Sequence, residues 1–348
     1  MHVQASAFSY FCRMARGVMG IAYPRAALIG NPSDGFGGMT ISFVFSDFRA
    51  HVMLEEHTEI EVLPGLVDHQ RWKDLNDFRA SVSTMGYYGG IRLLKATLLV
   101  FTNHCVEHKI KLHDRCFRLS YTTDIPVLLG LSGSSAIISA CLRALGGWYG
   151  VKMEPWLLAN LAWRVETEEL GIPAGLQDRV AQAYNYPVFM DFDASHFNTN
   201  PHGKYEKLKR PLKNIYIAYS DTLAEGSEKT HSNLRERFNA GDTKMLEAVE
   251  TWKRLTLEFR QALENNDMHT MNSCINENFD TRNALTTLHP KQVELVMLAR
   301  KSGASAKFCG SGGAIIGMYE DEKMLNKLRT DLRKHRVNIL LPEIVYEE

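Results

Sequence analysis

Residues 126–136, P-V-L-L-G-L-S-G-S-S-A, form a loop of small residues that includes Gly130, Leu131, Ser132, Gly133, Ser134, Ser135 and Ala136. The loop enters a helical pattern in which Ile137, Ala140, Cys141, Ala144 and Trp148 share one apolar face. Where a loop without bulky side chains meets a helix, several backbone N–H groups can converge on one anion. The first N–H groups of the helix lack intrahelical partners, and the helix dipole favours negative charge there. The hydroxyls of Ser132, Ser134 and Ser135 add donors, or a ligand for a magnesium ion. A polyphosphate suits such a place, although a serine N-cap behind a glycine turn spells the same letters without a ligand. No Gly-Lys-Ser/Thr follows, so this is not a Walker A loop.

Two carboxylate-bearing stretches come next. The segment from Glu154 to Leu170 reads as a helix that ends in E-T-E-E-L-G. Carboxylates at a helix C-terminus oppose its dipole, so one of Glu166, Glu168 and Glu169 is expected to have a partner. In G-I-P-A-G-L-Q-D-R-V, residues 171–180, Pro173 and the glycines fix a turn and Asp178 opens the next helix. That is also the place of an ordinary capping or dipole aspartate. Arg179 beside it, or Arg25, could hold it ionised. Near the C-terminus, A-K-F-C-G-S-G-G-A reads as strand–turn–strand, and Gly310, Gly312 and Gly313 permit close approach of backbone to a ligand.

These groups need a scaffold. P-R-A-A-L-I-G predicts a buried strand ending at Gly30, ahead of the turn-forming N-P-S-D-G-F-G-G. Strands are predicted at T-I-S-F-V-F, R-A-H-V-M-L, E-I-E-V-L and residues 116–123, and helices over 71–82 and 90–109. The later chain predicts a strand at 214–220, an almost wholly helical stretch over 228–303 with caps near Gly241-Asp242 and His289-Pro290, a helix over 321–334 and a strand over 336–341. The polar run from Asp191 places a boundary near residue 200. A length of 348 residues suffices for two domains with their own cores. Hydrophobic residues make up 45%, yet no apolar run approaches the ~18 needed to span a bilayer, so a soluble chain is expected, with no membrane partner. Lys+Arg and Asp+Glu balance at 40 each, which argues against nucleic acid. The cysteines form no C-x-x-C pair, and His231, His269 and His289 lack metal spacing. A reducing, cytoplasmic setting is expected. Residues 1–22 read as an extension, disordered or strand-forming, or as an organellar leader, because Arg13 and Arg16 stand there without an acidic residue.

G-L-S-G-S-S-A after a proline resembles the phosphate loop of the GHMP kinases, the superfamily of galactokinases, homoserine kinases and mevalonate kinases; Ser132-Gly133 stands where many members have one glycine. G-x-P-x-G-x-x-D, Arg25 and Asp34 in R-A-A-L-I-G-N-P-S-D, and the glycine turn near the C-terminus match the family's other motifs in order. The resemblance implies an α+β, two-domain GHMP kinase fold: an S5 domain 2-like ATP-binding domain over 23–200, a ferredoxin-like domain over 201–348, and a site between them. It implies ATP and Mg²⁺, with loop 130–136 and Gly312 at the nucleotide, Ser135 and Glu166 on the metal, Asp178 as base and Arg25 beside the transferring phosphoryl. Asp34 and Gly175 would meet the sugar; a carboxylate can accept hydrogen bonds from two vicinal hydroxyls.

Within the superfamily, G-N-P-S-D, T-I-S-F, G-Y-Y-G-G-I-R-L-L (86–94), G-L-Q-D-R-V-A-Q-A-Y and F-C-G-S-G-G-A look like the glucuronokinases, over most of residues 23–320. This implies transfer to the anomeric hydroxyl of D-glucuronate. Met39 and Val127 depart from that pattern, standing where it carries arginines. The cation for a sugar carboxylate is therefore sought in Arg92, with Tyr88 adding a hydrogen bond. A neutral aldose is the alternative within the class, and a catalytically silent sugar- or nucleotide-binding regulator the alternative outside it. The presence of Asp178, Glu166, Ser135 and Arg25 together favours the enzyme.

Overall fold

The computed structural model describes residues 11–14, 17–65, 68, 89–220 and 228–347. The helix expected over 71–82 and the side chain of Tyr88 lie outside them. In order, the elements are β1 (Phe11–Met14), β2 (Gly17–Ala22), β3 (Arg25–Ile29), a 3-10 turn (Ser33–Phe36), β4 (Met39–Val44), β5 (Ala50–His57), β6 (Glu61–Val62), α1 (Gly90–Glu107) and β7 (Cys116–Thr123). Then come α2 (Gly133–Tyr149), α3 (Pro155–Arg164) running into a π-helical turn (Val165–Glu169), α4 (Gln177–Tyr184), β8 (Val188–Asp191), α5 (Ala194–Phe197), β9 (Lys204–Lys207) and β10 (Ile215–Tyr219). The chain closes with α6 (Glu228–Asn239), α7 (Thr243–Asn265), α8 (Met268–Leu285), α9 (Pro290–Lys301), β11 (Lys307–Phe308), β12 (Ala314–Met318), α10 (Glu322–Lys334) and β13 (Asn338–Leu340).

The first sheet has the order β1-β2-β5-β7-β6 and is antiparallel except where β6 meets β7. Helix α2 lies across β2 and β5 and is covered by α1, α3 and α4. Its residues are buried from Ser135 to Trp148, which explains why it is apolar nearly all round. Gly20 allows the approach: a Cβ there would overlap the Ala140 carbonyl. Strand β2 alternates buried and half-buried residues, so residues 17–22 take the strand-forming of the readings given to this stretch and lie inside the sheet, between β1 and β5.

The second sheet, β3-β4-β8-β9, is antiparallel throughout. Because β9 pairs with β8, the boundary expected near residue 200 falls inside a sheet; the polar run between is a connection of paired strands. The third sheet, β11-β12-β10-β13, packs Tyr216, Phe308 and Ile315 against Phe279, Val296, Leu328 and Leu332 of the neighbouring helices. The stretch over 228–303 holds the two expected breaks and a third at Asn266-Asp267. Asn266 there adopts a left-handed conformation (φ 55°) and Asp267 caps α8 through the Thr270 N–H.

Strand β3 joins the parts. Its Arg25 N–H donates to the Leu131 carbonyl at 3.1 Å and its Ala27 N–H to the Cys309 carbonyl at 2.9 Å. The C-terminal residues return along the second sheet, where Val345 N–H donates to Val44 at 3.0 Å and Leu212 N–H to the Tyr346 hydroxyl at 2.7 Å.

Candidate active site

Helix α2 begins at Gly133, directly after Ser132, whose left-handed backbone (φ 63°) turns the loop onto the helix axis. The three serines then diverge. Ser132 Oγ donates to Asp178 Oδ2 at 2.7 Å, Ser134 Oγ to Glu166 Oε1 at 2.9 Å, and Ser135 Oγ back to the Ser132 carbonyl at 3.2 Å. Ser135 is buried beside Ala136, so the hydroxyl that stands at Glu166 belongs to Ser134 and not to the expected Ser135. Successive helical residues point about 100° apart, and only one of an adjacent pair can face the cleft. Gly130 is closed over by the third glycine-rich stretch: a Cβ there would lie 2.7 Å from the Gly312 carbonyl. Buried Arg282 of α8 fixes that stretch by donating to the Gly310 and Ser311 carbonyls at 2.7 and 2.8 Å. Buried Lys307 donates to the Ala27 and Phe308 carbonyls and to Asn31, and burial pushes its ammonium well below the usual lysine range.

The acidic groups meet at the start of α4. Arg25 Nη2 pairs with Asp178 Oδ1 at 2.5 Å, and its Nη1 donates to the Cys309 carbonyl at 2.5 Å. Arg179 Nε donates to Glu166 Oε2 at 2.8 Å, and its Nη1 donates to the Gly175 carbonyl at 2.8 Å and stands 3.5 Å from Asp178. Two carboxylates of the E-T-E-E run have partners, Glu168 the Arg164 side chain at 2.9 Å and Glu166 the buried Arg179, and Glu166 is the one turned into the site. It lies on the π-helical turn, a local widening that recurs at functional sites. The Glu166 carboxylate and the Ser134 hydroxyl are hard oxygen donors beside the first turn of α2. They fit a magnesium ion, which takes few protein ligands and fills its shell with water and substrate phosphates. Consistently, no three His, Cys, Asp or Glu side chains converge into a cage among the described residues.

Asp34 sits on the 3-10 turn, where its Oδ1 accepts from Gln177 Nε2 at 2.8 Å and Gly175 leaves no room for a Cβ. Two neighbouring carboxylates are thus driven apart. Burial and the charge of Asp178 raise Asp34 to about 7, against the pull of Arg25. Burial would raise Asp178 as well, but Arg25, Arg179 and the Ser132 hydroxyl outweigh it and hold Asp178 below the ordinary range. Asp178 keeps 18% of its side-chain surface exposed whereas Arg25 and Arg179 keep 5% each, so the carboxylate is more accessible than the arginines that hold it. Pairs of carboxyl groups separated in this way can divide the tasks of proton acceptor and hydrogen-bonding partner.

The structure thus gathers Arg25, Asp34, Gly175, Asp178, Glu166, loop 130–136 and Gly312. It does not bring in Arg92, which is exposed at the start of α1 and donates to the Leu170 carbonyl at 3.1 Å. Sequence reasoning missed Gln177 and also Gln182, whose Nε2 donates to the Tyr23 and Ser132 carbonyls at 3.0 Å each. Polar residues on a short helix read as a solvated face, and only the packing shows that these are buried.

The GHMP kinases N terminal domain model matches residues 93–186, and the GHMP kinases C terminal model matches residues 259–338. Glucuronokinase 1 of Arabidopsis thaliana is 39% identical over 303 residues, covering 85% of this chain and 83% of its own. Among solved structures, the Lin0012 protein of Listeria innocua superposes with a TM-score of 0.77 at 15% identity, over 95% of this chain and 98% of its own. Lactococcus lactis galactokinase complexed with galactose superposes with a TM-score of 0.71 at 15% identity, over 95% of this chain and 94% of its own.

Proposed function

The chain belongs to the GHMP kinases, ATP-dependent phosphotransferases with an alcohol group as acceptor, and within that family we propose that it phosphorylates the anomeric hydroxyl of D-glucuronate, giving glucuronate 1-phosphate. The choice of sugar is supported by the 39% identity to Glucuronokinase 1 over most of both chains. The observation that carries the chemistry is the placement of the partly exposed Asp178, bonded on one side to Arg25 and on the other to Ser132 of the phosphate loop, partners that hold its carboxyl below the ordinary range.

Phosphoryl transfer asks for in-line positioning and for neutralisation of spreading charge. The N–H groups of the first turn of α2 receive the ATP phosphates, and Gly130 and Gly312 keep the loop narrow. Ser134 and Glu166 would hold a magnesium ion, which when bound would supply positive charge to the phosphate oxygens. Asp178 takes the proton of the anomeric hydroxyl as that oxygen bonds to the γ-phosphorus and ADP leaves. Arg25, already within reach of Asp178, offsets the charge on the transferring group. Asp34 accepts hydrogen bonds from ring hydroxyls, positioned by Gln177.

Release of ADP, measured over a panel of uronic acids and neutral aldoses, tests the assignment. Glucuronate is expected to give the highest kcat/KM. A neutral aldose used better than every uronic acid would leave only the sugar kinase class standing.

A further inference from the structure

A glucuronate bound for transfer at its anomeric oxygen carries its carboxylate on C5, one ring oxygen away from the reacting carbon and beyond the hydroxyl-bearing carbons on the other path round the ring. An unpaired carboxylate in a closed cleft is costly, so a cation must meet it there. The cations around the cleft are already committed. Arg25 is shared between Asp178 and the Cys309 carbonyl, and Arg179 between Glu166 and the Gly175 carbonyl. Arg282 and Lys307 are buried, with both Nη groups of Arg282 on the Gly310 and Ser311 carbonyls and the Lys307 ammonium on two backbone carbonyls and Asn31. Arg92 is bonded to Leu170.

Arg235 of α6 differs. Its guanidinium lies over the ring of Phe36 at 4.9 Å, on the turn that carries Asp34, and Phe238, three residues on, packs its ring against the same Phe36 at 5.1 Å. Gly35, the neighbour of Asp34, leaves the space the guanidinium uses: a Cβ there would be 3.3 Å from Arg235 Nη2. The side chain is exposed, and among the described residues its guanidinium makes no hydrogen bond or ion pair. Stacking fixes the plane of an arginine while leaving the N–H groups at its edge free, the geometry that grips a carboxylate with two parallel bonds.

We propose that Arg235, stacked on Phe36 beside Asp34, is the residue that binds the sugar carboxylate and so selects uronic acids over neutral aldoses. This rests on the glucuronate reading above. Asp178, Asp34 and Arg235 then read one substrate in sequence: the reacting hydroxyl, the neighbouring ring hydroxyls and the acid group.

The test compares wild type, Arg235→Gln and Arg92→Gln on glucuronate and glucose, with KM for ATP measured alongside. Loss of a charge-assisted bond is expected to lower the glucuronate-to-glucose ratio of kcat/KM in Arg235→Gln by about ten- to a hundredfold, through KM for glucuronate. Glucose use and KM for ATP should hold, which also shows the variant is folded. A ratio unchanged within about twofold in Arg235→Gln, or one that falls in Arg92→Gln instead, overturns the assignment while the glucuronate reading stands. A wild-type enzyme that prefers glucose overturns both.

Discussion

Replacing Asp34 by Asn should make the ligand-free protein more stable at neutral pH while impairing the enzyme. An unfolded aspartate ionises near 3.8, whereas in the folded protein Asp34 keeps its proton up to about pH 7. Between those values the native state holds a proton that the unfolded chain has lost. Stability from this group is therefore fully present below pH 3.8, declines as pH rises and levels off above about 7. The gap between 3.8 and about 7 corresponds to a ceiling of about 4 kcal/mol. Asparagine cannot ionise, and its carbonyl oxygen can keep the 2.8 Å bond from Gln177 Nε2. The difference in stability between Asp34→Asn and wild type should thus be near zero at pH 4, grow up to about pH 7 and then level off, in favour of the variant. Thermal unfolding across that range measures it, and taking the difference removes the histidines common to both proteins. Turnover of the sugar should fall in the variant, because the amide nitrogen cannot accept a hydroxyl hydrogen bond. Parallel curves for the two proteins from pH 5 to 8 would refute the raised ionisation of Asp34, and with it the division of labour between the two carboxylates.

Two further outcomes follow from the same geometry. Asp178→Asn should lower kcat by about 10²–10⁴-fold with ATP binding kept, since the amide fills the space but takes no proton; a variant with more than about a tenth of wild-type turnover would remove Asp178 from the role of base. Ser134→Ala should weaken use of Mg·ATP in a way that rising Mg²⁺ relieves, whereas Ser135→Ala, which loses only a bond to the Ser132 carbonyl, should be insensitive to Mg²⁺; kinetics titrated with Mg²⁺ separate them, and the opposite pattern would return the metal to Ser135.

What the sequence made legible is what local chemistry decides. The alternation in C-F-R-L-S-Y-T-T gives β7 with its ends at Cys116 and Thr123, and the small residues of 130–136 announce a backbone that approaches a ligand. What it hid depends on phase and on distance along the chain. Ser134 and Ser135 are equivalent as letters, and the left-handed turn at Ser132 decides which hydroxyl meets Glu166. The choice among the readings of residues 17–22 has a similar origin: β2 is short and rich in small residues, and only its pairing with β5 and the closeness of Gly20 to α2 show it as an inner strand. Arg92 is adjacent in sequence to the tyrosines and glycines that drew it into the sugar site, yet α1 turns it to Leu170. Arg235 lies on a polar helix, far along the chain from Asp34, and nothing in its neighbourhood of the sequence marks it. The arginines illustrate why. Arg25 touches Asp178, Cys309 and, through its backbone, Leu131, so one residue of β3 ties together three stretches that the sequence presents as separate motifs. Its guanidinium is fixed beside Asp178 and the Cys309 carbonyl in doing so, and Arg179 is fixed in the same way to Glu166 and the Gly175 carbonyl. A site assembled by arginines that hold its own carboxylates and carbonyls must recruit the cation for an acidic substrate from outside that framework, and α6, resting on the Asp34 turn, is the element that offers one.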